Sequence, residues 1–508
     1  MNSLRDSASD AAAPASRFVA RLGLGAGPLL ALAAFLALRT SASDLAPAAQ
    51  ATAAVGVLMA VWWMTEAIPL EATSLLPLVL FPVLGATKDI KAAAAPYADE
   101  SIFLYLGGFL LALAVEKWGL HRRLALATLV AVGTRPAMLV GGFMLATALV
   151  SMWISNTATT LMMLPIGLSV VHLLSDKLAS GDSAAAKADA ANLSIALLLG
   201  IAYAASIGGL ATLIGTPPNA VFKGFMESKG IPIGFGRWML FALPLSGVYL
   251  LLAWLVMTRL FPVRAKDIPG GSALIRQELN KLGWMTRGEW TVLIVFAAAV
   301  AGWLSLEPLY QTGWLPKGPN GEKRLSDAVI GMAAALALFV IPVDWKSGRF
   351  ALDWRTASRV PWGVLLLFGG GLSLAKAMTD TKLDVWIGQQ VQGLAHLPLP
   401  VLVVIVVTGV VLFSELASNL ATATTLLPVL FAAAVQLQLD PLVLCVPAIL
   451  AASCGFMLPV ATPPNAIVFG TGHITMRQMM RAGLWLDLIG IVLIPLATWT
   501  LGKWVLGV

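Results

Sequence analysis

Apolar residues run in long stretches along nearly the whole chain, broken by short polar segments. Such stretches recur at 24–38, 55–63, 101–115, 238–261, 290–304, 328–341, 361–375 and 484–505. Several are long enough to cross a hydrocarbon core of about 30 Å, and the pattern predicts about 11 spanning helices plus two re-entrant hairpins. The hairpins are expected where an apolar arm is too short to cross comfortably, turns polar and becomes apolar again. One such place follows Arg135-Pro136 and the other follows Pro398 and Pro400. Two longer runs, 195–225 and 442–469, each contain a Pro-Pro pair. Two prolines cannot both keep helical hydrogen bonds, and the residue before a proline avoids the helical region. Each run is therefore expected to be a broken helix with an unwound middle.

The polar breaks are duplicated. Ser155-Asn156-Thr157-Ala158-Thr159 matches Ser418-Asn419-Leu420-Ala421-Thr422 at an offset of 263 residues (418 − 155), and the next proline lies ten residues on in both copies, Pro165 and Pro428. Gly215-Thr216-Pro217-Pro218-Asn219 matches Ala461-Thr462-Pro463-Pro464-Asn465 at an offset of 246 (462 − 216). Upstream, Leu106-Gly107-Gly108-Phe109 has a counterpart in Phe368-Gly369-Gly370-Gly371. The shorter second offset is mainly a loop-length difference: the first copy carries a polar, Ala-rich insert at 176–191, where the second has only 436–440. Five spans and one hairpin per copy is an odd number of crossings, so the second copy is expected to be inverted. Inverted repeats with discontinuous helices at the midplane are the architecture of many secondary transporters. The expected organisation is a disordered cytoplasmic tail (1–22), a first span (23–50), repeat one (51–262, hairpin 136–175, broken helix 192–226), a cytoplasmic linker (263–288) and repeat two (289–508, hairpin 399–436, broken helix 441–470).

Composition agrees with an all-α polytopic membrane protein. Of 508 residues 58% are hydrophobic and 12% charged, with mean hydropathy +0.85, where soluble domains carry about 25% charge. The net charge of +7 does not indicate nucleic-acid binding, because the basic residues sit in short loops: Arg264, Lys266, Arg276, Lys281 and Arg287 in one, Lys346, Arg349, Arg355 and Arg359 in another. With Arg17 and Arg21 before the first span, the positive-inside rule puts these segments and the N-terminus in the cytoplasm. The first span reads as a signal anchor rather than a cleaved leader, since more spans follow. The plasma or bacterial inner membrane is the expected location, with the lipid bilayer as surroundings. Cys445 and Cys454 are too few for a disulfide framework, and the four histidines are scattered, so no metal site other than for Na⁺ and no organic cofactor is expected.

Neither duplicated motif contains Lys or Arg. The available groups are hydroxyls, carboxamides and freed backbone. Helix N-termini present unpaired N–H groups and about half a positive charge, which suits a carboxylate or sulfate. Facing carbonyls suit Na⁺. One Ser-Asn-Thr is a common helix cap and one Pro-Pro a common kink; a purely structural role fits the duplicated set poorly. Among charges in apolar sequence, Glu415 adjoins the second motif, where the first copy has Met152, and Lys376 in the preceding span is a candidate partner. An ionisable group at membrane depth is costly and often functional, here by tuning cation binding or adding proton sensitivity, but a structural ion pair or a water-facing carboxylate is the plainer expectation. Glu66 and Glu71 read as interfacial, the 116–123 cluster as a membrane-surface helix, and His172 as packed or interfacial.

At these motifs, and over about residues 50 to 500, the sequence resembles the divalent anion–sodium symporter family of dicarboxylate and citrate carriers. Supporting stretches are 62–70 (WWMTEAIPL), 119–123 (GLHRR), 202–219 (AYAASIGGLATLIGTPPN) and 452–470 (ASCGFMLPVATPPNAIVFG). The resemblance implies a homodimer in which a transport part moves past a scaffold by an elevator motion. It implies Na⁺ as coupling ion at Ser151, Ser155, Asn156 and Gly215, and again at Ser414, Ala417, Asn419 and Ala461. A small dianionic substrate would be held by Ser155, Asn156, Thr157, Ser418 and Asn419, with Thr216, Pro217, Thr462 and Pro463 nearby. Leu420 departs from the family's usual second Ser-Asn-Thr and removes one hydroxyl, which puts the anion's identity in question. The expected function is Na⁺-coupled symport of di- or tricarboxylates, C4-dicarboxylates such as succinate first; dicarboxylate exchange without Na⁺ coupling, or sulfate or citrate transport, are the alternatives. An enzyme is not expected: a serine nucleophile needs an activating base, His172 is 17 residues from Ser155, and the second copy has no equivalent histidine. No Gly-x-x-x-x-Gly-Lys-Ser/Thr element is present for an ATP-driven pump.

Overall fold

The computed structural model describes residues 14–42, 45–132, 135–179, 184–264, 271–319, 323–390, 393 and 396–507. It is helical almost throughout. Among the described residues nine helices are long and apolar enough to cross a membrane, or ten if the bent pair Ile90–Ala98 and Glu100–Lys117 is one span. Four shorter apolar helices lie at Leu70–Val83, Pro136–Ser151, Asp327–Val340 and Pro441–Ala451. The count falls below the expected 11 because proline and glycine divide several apolar runs into pieces too short to cross alone.

The chain divides into two compact bodies. The smaller comprises Met1–Ile102, Trp362–Leu397 and Leu420–Pro441; the larger comprises Phe103–Pro361, Pro398–Asn419 and Leu442–Val508. In the smaller body the helices Pro14–Ser41 and Pro47–Thr65 lie side by side, with Trp62 Nε1 donating to Gly23 O at 3.1 Å. The first helix starts at Pro14, before residue 23. Arg17 and Arg21 do not stop it, because arginine is a good helix former. It ends before 50, because Pro47 starts the next helix at the position where a missing N–H costs nothing. Residues 1–13 of the expected tail lie outside the described residues. The core of this body joins Val55, Met59, Trp63 and Phe81 to Leu374 and Met378. Trp63 Nε1 donates to Ser74 Oγ at 3.2 Å, and Ser373 Oγ to Ala93 O at 2.8 Å.

In the larger body the Ala184–Gly209 helix is the most enclosed of the helices long enough to cross a membrane. From Ile195 on it is apolar and buried on all sides, as a central helix must be. The Ala-rich insert expected as loop is largely helical, the helices running to Ala179 and from Ala184; alanine's helix propensity outweighs the local polarity. The linker likewise contains a helix, Gly271–Lys281. A methyl group added at Gly107 would lie 2.6 Å from the Gly331 backbone carbon, so the Glu100–Lys117 and Asp327–Val340 helices meet almost backbone to backbone.

The 116–123 segment is a docking point for both basic loops. Lys117 pairs with Asp353 at 2.6 Å and Arg359 with Glu116 at 2.7 Å. Arg122 pairs with Glu278 at 2.9 Å, and Arg123 reaches Glu289 at 2.7 Å and the Gly283 carbonyl at 2.9 Å. The Lys117 ammonium also holds the Asp353 carboxyl below its ordinary range.

Candidate cation and anion site

The first duplicated motif lies between the helices Pro136–Ser151 and Asn156–Ala179. Ser151 Oγ is 2.7 Å from Asn156 Oδ1 and 2.7 Å from Ala205 O. A hydroxyl carries one proton, so with Asn156 Oδ1 turned toward Ser151 only one of these oxygens can receive it. Ser151 is fully buried. A methyl group added at Gly209 would come within 2.6 Å of Asn156 Oδ1 and 3.1 Å of Gly215 O, which places that carbonyl in the same oxygen cluster. Thr212 Oγ1 donates to Met152 O at 2.5 Å and fastens the unwound segment to the tip.

The second copy repeats this geometry between Leu399–Leu416 and Asn419. Ser414 Oγ, also fully buried, is 2.9 Å from Asn419 Oδ1 and 2.6 Å from Ala452 O. A methyl group at Gly455 would lie 3.0 Å from Ala461 Cβ and 3.3 Å from Ser414 O, so Ala461 adjoins the cluster as Gly215 does in the first copy. Each copy therefore gathers more acceptors than protons in a buried space. A small hard cation, which takes oxygen ligands, satisfies such a set. The oxygens gathered at the two clusters are hydroxyl, carboxamide and carbonyl oxygens.

The Thr-Pro-Pro-Asn elements begin helices rather than interrupt them. Thr216 and Thr462 are extended N-cap residues (φ −141° in both; ψ 141° and 147°) before Pro217–Ser228 and Pro463–Phe469. The prolines occupy the first helical positions, whose N–H groups have no helical acceptor anyway. The unwound stretch precedes them. Ser155 and Pro463 are exposed, Asn156, Thr157, Pro217, Ser418 and Asn419 half-buried, and Thr216, Thr462 and Ala417 buried. Ser155 Oγ accepts from the Ala158 N–H at 3.3 Å and caps a helix N-terminus. The Pro463–Phe469 helix packs on the Asn156–Ala179 and Ala184–Gly209 helices, which sets Pro463 of the second copy beside helices of the first.

Glu415 has a different partner from the one expected. Its Oε1 accepts from the N–H groups of Phe456 (2.6 Å) and Met457 (2.8 Å), and its Oε2 from Leu458 (2.9 Å). Three successive N–H groups of an unwound segment form a concave anion cradle. Lys376 instead pairs with Asp380, one turn along its own helix, at 3.1 Å. Sequence reasoning missed Asp487, 3% exposed and beside Glu415, and a buried cluster in which Lys223 Nζ meets Glu227 (2.5 Å), Asp327 (3.3 Å) and Ile233 O (2.9 Å). The available signal was the same for all: a charged residue within apolar sequence.

The profile of a family described as "Sodium:sulfate symporter transmembrane region" matches residues 27–508. The chain belongs to that family. Among similar proteins, the "Sodium-dependent dicarboxylate transporter SdcS" of Staphylococcus saprophyticus is 42% identical over 491 residues, covering 96% of this chain and 92% of the relative. Its namesake in Staphylococcus aureus strain USA300 is 40% identical over 490 residues, covering 96% and 92%. The Alcanivorax borkumensis YdaH transporter structure aligns with a TM-score of 0.53 at 16% identity, over 89% of this chain and 99% of that one; it supports the fold alone. As a member of this symporter family the chain is a multi-pass membrane transporter and not an enzyme.

Proposed function

We propose that this family member carries C4-dicarboxylates across the cell membrane together with Na⁺. The observation that carries the proposal is the duplicated buried cluster, Ser151 with Asn156 and Ala205, Ser414 with Asn419 and Ala452, in which oxygens outnumber available protons. Relatives named as sodium-dependent dicarboxylate transporters support it. One Na⁺ is held by Ser151, Ser155, Asn156 and Gly215, the other by Ser414, Ala417, Asn419 and Ala461, backbone oxygens included. Ser155, Asn156, Thr157, Ser418 and Asn419 bind the dianion, with Thr216, Pro217, Thr462 and Pro463 around it. All of these residues belong to the larger body. The half-positive end of the Asn156–Ala179 helix offsets the substrate's charge without a fixed cation. Each bound Na⁺ adds positive charge nearby, which favours binding of ion and dianion together. Inverted repeats, an elevator motion, a homodimer and a cytoplasmic N-terminus complete the proposal.

The test is uptake of radiolabelled succinate into proteoliposomes holding the purified protein. Uptake is expected with an inward Na⁺ gradient, without a preloaded dicarboxylate and not with K⁺ in place of Na⁺. Uptake that needs preloading and ignores Na⁺ would overturn symport in favour of exchange. No uptake in either mode would move the substrate to citrate or sulfate, with Leu420 the first residue to change.

A further inference from the structure

The unwound segments are each tied back by one carboxamide that the function above leaves unassigned. Asn219 and Asn465, the last residues of the Thr-Pro-Pro-Asn elements, are both 0% exposed. Asn219 Nδ2 donates toward Thr212 O at 2.8 Å and Leu210 O at 3.2 Å, with Gly209 O at 3.4 Å. Asn465 Nδ2 donates to Leu458 O at 3.0 Å and Gly455 O at 3.1 Å. The shared offsets are seven and ten residues upstream in both copies. Gly209 and Gly455 are also the residues whose missing side chains let the cation-site atoms approach: Asn156 Oδ1 and Gly215 O in one copy, Ser414 O and Ala461 in the other. The carboxamide thus grips the backbone where the cation donors converge.

A second observation points to a ligand. The Oδ1 atoms of both asparagines are buried and have no hydrogen-bond partner among the described residues. A buried acceptor left without a donor is costly, and fold stability alone gives no reason to repeat it at matched positions. An acceptor in that situation is satisfied by a cation or by an ordered water. Flipping either amide would not help, because the Nδ2 bonds to carbonyls fix its orientation.

We infer that Asn219 and Asn465 are positioning residues for the two cation sites: their N–H groups set the spacing of the loop carbonyls, and their oxygens are left for the cation or a water bound to it. This rests on the Na⁺-coupled reading above. A merely structural asparagine would change the amount of folded protein without changing how it responds to Na⁺.

The experiment compares wild type, Asn219→Ala and Asn465→Ala in two ways. One is succinate uptake against Na⁺ and against succinate; the other is the rise in melting temperature of the purified protein in NaCl over choline chloride. Each variant is expected to raise the Na⁺ half-saturation about five- to tenfold, the loss of one net hydrogen bond near the ion. Each should shrink the Na⁺-induced thermal shift and leave succinate half-saturation at saturating Na⁺ within about twofold of wild type. Folded variants with an unaltered Na⁺ titration overturn the inference. If alanine gives no folded protein, Asn219→Ser and Asn465→Ser keep a short donor and are held to the same criterion. A wild type that transports without Na⁺ would instead sink the symport reading, which separates the two failures.

Discussion

At the scale of single residues, the sharpest expectation concerns the two serines, each of which has one hydroxyl proton facing two acceptor oxygens. Ser151→Ala and Ser414→Ala each remove one oxygen from a buried cluster proposed to hold Na⁺. A lost ligand of this kind costs on the order of 1–2 kcal/mol, or about five- to thirtyfold in Na⁺ half-saturation. The Na⁺ dependence of succinate uptake checks this, and unchanged half-saturation in both variants would remove these serines from the sites. Glu415 belongs at this scale too, but chiefly as a fastener. Its Oε1 holds two N–H groups and its Oε2 one. Glu415→Ala strands all three, and the loss is expected to exceed about 3 kcal/mol, since hydrogen bonds to a charged group contribute about 1.5–3 kcal/mol each. Glu415→Gln keeps one carbonyl oxygen but sets an amide N–H₂ against a donor, so its melting temperature should fall between alanine and wild type. Melting temperatures matching wild type in both variants would refute the fastening role, and an unaltered Na⁺ and pH dependence of Glu415→Gln would rule out one in ion coupling.

At the scale of elements, the two copies differ in how their second half-helices start. Thr462 Oγ1 accepts from the Asn465 N–H at 3.3 Å, whereas the otherwise superposable Thr216 makes no side-chain cap bond. A lost cap costs about 1 kcal/mol. Thr462→Ala is therefore expected to lower the melting temperature more than Thr216→Ala; equal shifts would contradict the asymmetry. Much at this scale was legible in advance. The duplicated Ser-Asn and Thr-Pro-Pro-Asn signatures located the polar breaks because glycine, proline and short polar side chains act through local backbone rules. The place of the break was less legible: the prolines open the helix after the unwound stretch, and the stretch itself, 210–216 in the first copy, mixes Leu210, Ala211, Leu213 and Ile214 with Thr212, Gly215 and Thr216 and is tied by Asn219 and Thr212. The helical state of 184–191 was missed for a similar reason, because polarity suggested loop where alanine favours helix. Pairings such as Glu415 with the 456–458 backbone join residues some forty positions apart, and no local pattern encodes them.

At the scale of the molecule, orientation in the bilayer can be argued from one helix and three tryptophans. The helix Arg287–Gln311 has 25 residues, about 37 Å at 1.5 Å per residue, long enough for its ends to lie on opposite sides of a core about 30 Å thick. Trp284, 96% exposed, precedes it and Trp314, 81% exposed, follows it. Trp345, 82% exposed, sits in the other basic loop. That loop meets the first one at Trp118, whose Nε1 donates to Ala351 O at 2.7 Å and whose ring would clash with any side chain at Gly288. The two loops therefore share one side, and their positive charge, by the positive-inside rule, is the reason to propose that this side is cytoplasmic. Both native cysteines are buried, so a single introduced cysteine reports alone. Trp284→Cys and Trp345→Cys are expected to react with a membrane-impermeant maleimide in inverted vesicles and not in right-side-out ones, and Trp314→Cys in the opposite pair of conditions. Labelling of 284 and 314 from the same side would mean that this helix does not span. Labelling of all three with the sides exchanged would keep the span and turn the protein over, and the motifs that gather the cation donors would then be read from the other face of the membrane.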